Sequence, residues 1–78
     1  MGHLILHVSP LKRARIMAIM AARQEWKGTR AGVRMSFRYD PQPDFEGRRV
    51  VWSARVNGIE RRGRAATVYD AIQDIEAR

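Results

Sequence analysis

The side chains best equipped for chemistry in this chain are its arginines. They make up thirteen of fifteen basic residues in a 78-residue sequence. A planar guanidinium donates paired hydrogen bonds to phosphate or carboxylate, where an ammonium offers only a point charge. Their spacing is regular in two places. In "GVRMSFRYD", Arg34 and Arg38 flank Ser36 at intervals of two, alternating with Val33, Met35, Phe37 and Tyr39. In "RRVVWSARVNGIERRGRA", Arg55, Arg62 and Arg64 fall on the side opposite Val50, Trp52, Ala54 and Val56. A period of two assigns residues to the two faces of a strand, so both stretches predict one buried face and one basic face.

Other chemistries find less support. His3 and His7 are spaced four apart in a segment that reads as a strand, which separates them too far for a shared metal, and no third ligand stands near them. Asp40, Asp44 and Glu46 cluster in one proline-broken loop without a histidine or pocket to make them an acid–base pair. Ser36 and Ser53 carry no nucleophile signature. Gly28 and Gly32 precede a strand instead of a helix, so they do not form a phosphate cradle. The expectation is a non-enzymatic protein with no cofactor and no metal.

The charge is uneven. Residues 1–39 carry eight basic side chains and one acidic one, whereas residues 40–78 carry seven of each, so the net +7 arises in the first half. That field favours association with anionic partners. Cysteine is absent, which removes disulfides and thiolate chemistry and points to a reducing, cytoplasmic setting. The longest mainly apolar run, Ile16 to Ala22, is too short to span a bilayer, and "MGHLILHVSP" lacks a basic leader region, so the chain reads as soluble, unprocessed and without membrane association. Seventy-eight residues make one small domain, residues 1–78, with a thin core.

The elements that must position these residues are legible from capping and turn signals. "HLILHV" alternates as a short edge strand or packed arm. Ser9-Pro10 offers an N-cap hydroxyl and a first-turn proline, opening a helix expected from Pro10 to Trp26 or Lys27 and stopped before Gly28 and Gly32. Its core stripe is expected to be Leu11, Ala18, Ile19, Ala22 and Trp26. The face Lys12, Ile16, Met20, Arg23, Lys27 would then be exposed, mixing cations with apolar groups as protein-binding patches do. Two strands follow around "PQPDFEG", and Asn57-Gly58 is a two-residue hairpin signal. That turn pairs Val56 with Ile59, Arg55 with Glu60 as an expected surface ion pair, and Trp52 with Gly63, where an indole can lie over a glycine. Thr67 to Asp70 has the form of a capping box, and Val68, Ala71, Ile72 and Ile75 mark a closing helix. The expected fold is α+β, in the order (β)-α-β-β-β-α: a three-stranded antiparallel sheet with two helices on one face.

With "VVWSARVNG" leading into a glycine-bearing third strand and a terminal helix, residues 10–78 resemble the double-stranded-RNA-binding domain family. The resemblance implies that fold, and fold kinship does not by itself bring the family's function. The family reaches the minor groove through a histidine in the loop between its first two strands, and opens its last helix with a lysine cluster. Here the loop is "DPQPDFEGR" and the helix opens Thr67-Val68-Tyr69-Asp70, so none of the family's binding residues carries over. "GRAATVYDAI" is similar to a segment of HicB-type antitoxins through Gly63, Thr67, Asp70, Ala71 and Ile72. In size and style the chain also resembles small phage and prophage proteins that modulate a host nucleoprotein machine.

Two functions are therefore expected. One is contact with nucleic acid or a nucleoprotein complex through Arg34, Arg38, Arg55, Arg62 and Arg64. The other is regulation or inhibition of a protein with an acidic surface, using the Lys12, Ile16, Met20, Arg23, Lys27 helix face. A homodimer formed through an open sheet edge is a third arrangement the strands permit.

Overall fold

Among the described residues the sheet has four strands, not three. In a computed structural model describing residues 8–76, α1 (Pro10–Arg23) is followed by β1 (Glu25–Arg30), β2 (Val33–Tyr39), β3 (Val50–Val56), β4 (Ile59–Ala65) and α2 (Val68–Glu76). The strands form an antiparallel meander in the order β1-β2-β3-β4. The expected fold class was α+β, which stands; the expected strand count was one short. A fourth strand also departs from the α-β-β-β-α order that the sequence resemblance implied. The arm expected from "HLILHV" lies outside the described residues apart from Val8, which is buried. Among the described residues no helix is long and apolar enough to cross a membrane, and no group of three His, Cys, Asp or Glu side chains could hold a metal.

The missing strand was hidden in the end assigned to the helix. Ser9 caps α1 as expected, its hydroxyl accepting the Lys12 N–H at 3.3 Å, with Pro10 in the first turn. The helix stops at Arg23 because Gln24 turns left-handed, φ 68°, and donates its N–H to the Met20 carbonyl at 2.8 Å. Trp26 and Lys27 then belong to β1. The Ala31-Gly32 pair, φ 53° and 78°, closes the β1–β2 hairpin with Arg30 paired to Val33. Asn57-Gly58, φ 52° and 79°, closes β3–β4 in the same way, with Val56 paired to Ile59. Alanine is a rare first residue for such a turn, so the first hairpin carried little signal.

Each tryptophan sits over a glycine of an edge strand. Trp52 is paired with Gly63, as the hairpin register requires, and a Cβ at Gly63 would stand 2.6 Å from the indole. Trp26 covers Gly28 of its own strand in the same manner, with a Cβ there also at 2.6 Å, and stacks on Phe37 across β2 at 5.8 Å between ring centroids. Arg30 and Arg61 lie over the Trp26 and Trp52 rings at 5.0 and 5.6 Å, so these two arginines belong to the helix side of the sheet.

The helices cover that side, α1 over β1 and β2, α2 over β3 and β4. The face of α1 turned inward is Arg13, Ile16 and Met20, not the expected stripe, and Leu11, Ala18, Ile19 and Ala22 face solvent. Arg13 explains the choice. Its Nε donates to the Val8 carbonyl at 2.9 Å, its Nη2 pairs with Glu76 Oε1 at 2.5 Å, and its guanidinium lies 4.8 Å from the Tyr69 ring centre. Glu76 Oε2 accepts the Val8 N–H at 2.7 Å. This latch ties the start of α1 to the end of α2 and turns Ile16 and Met20 into the core.

Candidate nucleic-acid interface

The uncovered face of the sheet is a grid built by strand alternation and register. Three cross-strand rows run over it: Glu25, Arg38, Val51, Arg64; then Lys27, Ser36, Ser53, Arg62; then Thr29, Arg34, Arg55, Glu60. All five arginines expected at a binding face, Arg34, Arg38, Arg55, Arg62 and Arg64, are brought together here. Lys27 joins them from β1. It was expected on the helix face, and only the fourth strand brings it to this side.

At the centre, the Ser36 and Ser53 hydroxyls lie 2.7 Å apart. Two hydroxyls sharing one hydrogen bond leave one O–H free to donate outward. Beside them Arg34 stands directly opposite Arg55 on the two middle strands, and both are exposed. Like charges facing each other across a ladder cost stability. An open depression of about 620 Å³ lies over this part of the face, lined by Lys27, Thr29, Arg34, Ser36, Ser53, Arg55 and Glu60.

The arginines are not equivalent. Arg64 is half-buried and engaged: it bonds Asp40 Oδ2 at 2.5 Å and the Arg48 carbonyl at 3.1 Å, fastening the β2–β3 loop to β4. Arg62 is exposed but paired with Glu60 at 2.7 Å. That pairing corrects the expected Arg55–Glu60 ion pair. Arg55 and Glu60 are cross-strand partners, yet the carboxylate turns along its own strand, two residues on, to Arg62. Among the described residues Lys27, Arg34, Arg38 and Arg55 make no ion pair. The Glu60 carboxyl is held below its ordinary range, chiefly by the Arg62 hydrogen bond, and stays anionic.

In the loop, Asp40 is held low first by the Gln42 N–H and then by the Arg64 hydrogen bond. Asp44 is held low first by the Arg48 N–H, with the Arg48 side chain adding to it at 2.9 Å. These carboxylates are loop fasteners.

The helix face expected to meet a protein partner does not form. Ile16 and Met20 are completely buried, Lys27 is on β1, and of that expected face only Lys12 and Arg23 remain exposed on α1. The wheel was read with the wrong side inward, because α1 carries apolar residues around its whole circumference. Sequence reasoning also missed Lys27, for which the weak Trp26-x-Gly28-x-Arg30 alternation was the available signal.

No family model matches the chain, and no curated protein or solved structure matches it either.

Proposed function

We propose that the chain is a non-enzymatic binding protein that holds the phosphate backbone of duplex nucleic acid, free or within a nucleoprotein complex, on its open sheet face. One observation carries this reading: Lys27, Arg34, Arg38 and Arg55 converge on one face without carboxylate partners among the described residues. Unpaired cations around a serine pair with one O–H left to donate suit phosphate oxygens and supply affinity through counterion release.

The dimensions support a duplex. Two strand spacings of about 4.8 Å and four residues of about 3.3 Å set these four cations around a patch about 10 Å by about 13 Å, comparable with a major groove about 12 Å wide. Trp26, Phe37 and Trp52 lie on the helix side. Among the described residues the open face therefore offers no aromatic platform for stacking unpaired bases, which disfavours single strands.

The test is binding to duplex DNA, duplex RNA and single strands as salt is raised. Four phosphate contacts give a log–log slope of about −3.6 on duplex DNA, and Arg34→Glu with Arg38→Glu removes about half of it. Absence of binding to every duplex at low salt sinks the proposal.

A further inference from the structure

The outer surface of the helix layer is apolar at its centre and oppositely charged on its two helices. On α1, Leu11 is 64 % exposed, Met17 41 % and Ile19 38 %, with Ala14, Ala18 and Ala22 open between them. On α2, Tyr69 is 46 % exposed. A groove of about 300 Å³ runs between the helices, lined by Pro10, Arg13, Ala14, Met17 and Tyr69. A helix with apolar residues on its inner and outer faces alike is one that a second surface covers.

The charges identify the cover. Every charged residue of α1 is a cation, and Lys12, Arg15 and Arg23 are all exposed. The exposed charges of α2 are Asp70 and Asp74. None of these five makes an ion pair among the described residues.

Position follows from contacts within the chain. Ala14 and Met17 line the groove with Tyr69, so Lys12, Arg15, Ile19 and Arg23 lie on the side of α1 away from α2. Tyr69 and Glu76 meet Arg13, so Asp74 lies on the side of α2 away from α1. The helices are antiparallel: Glu76 bonds Val8 at one end, while Gln24 and Ala65 meet the top of the sheet at the other.

We infer that the helix layer is a dimer interface, in which α1 of one copy lies on α2 of a second copy about a two-fold axis parallel to the helices. That operation keeps the height of every residue and exchanges left with right. It sets Lys12 beside the partner's Asp74 and Arg15 beside the partner's Asp70, while Arg23 lies beyond the start of the partner's α2. The two grooves meet on the axis, each receiving the partner's Met17. A two-fold axis perpendicular to the helices would instead lay α1 on the partner's α1, cation against cation. Complementarity of charge selects the first arrangement, with an apolar centre and a charged rim.

A two-helix face about 21 Å long and about 20 Å wide makes a small, concentration-dependent interface. The two open sheet faces then point away from each other. The dimer does not depend on what those faces bind.

Sedimentation velocity and light scattering on the full chain, from about 1 to about 200 μM at low salt, test the inference. The expected result is a shift to twice the monomer mass. Met17→Arg returns the monomer mass with an unchanged circular dichroism spectrum, and Asp70→Arg with Asp74→Arg weakens association at least tenfold. Adding Lys12→Asp and Arg15→Asp to that pair restores it. A monomer at every concentration, whether residues 1–7 or another protein covers the face, overturns the inference. So does a dimer that survives Met17→Arg.

Discussion

Replacing Arg34 with glutamate separates a face that binds from a face that is merely polar. Arg34 and Arg55 are direct cross-strand partners on the two central strands, both exposed, and neither has a carboxylate partner among the described residues. Facing like charges cost a few tenths of a kcal/mol and opposite charges return a similar amount. Arg34→Glu therefore stabilises the free protein by about 0.5–1 kcal/mol at low salt, after allowance for the weakness of exposed pairs. In a domain of this size that raises Tm by about 2–8 °C. The gain shrinks as salt screens the pair, and by 1 M it has largely gone.

The same change places a carboxylate beside the phosphate path, so duplex affinity at low salt falls at least tenfold and the salt slope drops by about one. Thermal melts at two salt concentrations and a salt titration of duplex binding read both effects. A variant that melts higher and binds duplex as before refutes the assignment of Arg34 to the interface. A variant that melts lower at low salt refutes the geometry, because Arg34 and Arg55 would not then face each other.

Other consequences follow from the core and the loop. Gly63→Ala drives a methyl to within 2.6–2.9 Å of the Trp52 indole and Gly28→Ala does the same at Trp26, costing about 1–3 kcal/mol each with shifted tryptophan emission. Gly58→Asn, at a positive φ with open space around it, leaves the melting temperature within about 4 °C of the parent. An unchanged Gly63→Ala would mean that the indole does not lie over the glycine. Glu76→Ala strands the buried Arg13 and releases the Val8 N–H, so chemical denaturation should show a loss of about 3 kcal/mol or more; a loss below about 1 kcal/mol removes the latch from the account of α1. Asp40 is held below its ordinary value near 3.8, so its contribution is complete above that value and is lost as pH falls through the lower folded value. In melts from pH 7 to pH 2 the Asp40 share of the decline should fall below about pH 4, and Asp40→Asn should flatten that part; an identical acid limb in the variant counts against the Asp40–Arg64 fastening.

Local chemistry explains which features were legible in the sequence. Asn57-Gly58 specified its hairpin through two positive φ angles, and that register delivered the Trp52 and Gly63 pair and the common face of Arg55, Arg62 and Arg64. Ser9-Pro10 and Thr67 started the two helices through their own hydroxyls and ring, with Thr67 Oγ1 accepting the Asp70 N–H at 3.1 Å. The strict alternation of β2 separated Arg34 and Arg38 from Met35 and Phe37.

What escaped depended on partners distant in the chain. β1 is a strand because Phe37 and Met35 lie beside Trp26 and Gly28, although "EWKGTR" can equally extend a helix. The inward face of α1 was chosen by Glu76, 63 residues beyond Arg13, since the helix offers apolar residues on both sides. Strand alternation was enough to place five arginines on one face. Only the folded chain decided which of them stay unpaired, because Glu60 and Asp40 reach their cations through side-chain geometry that residue spacing does not encode.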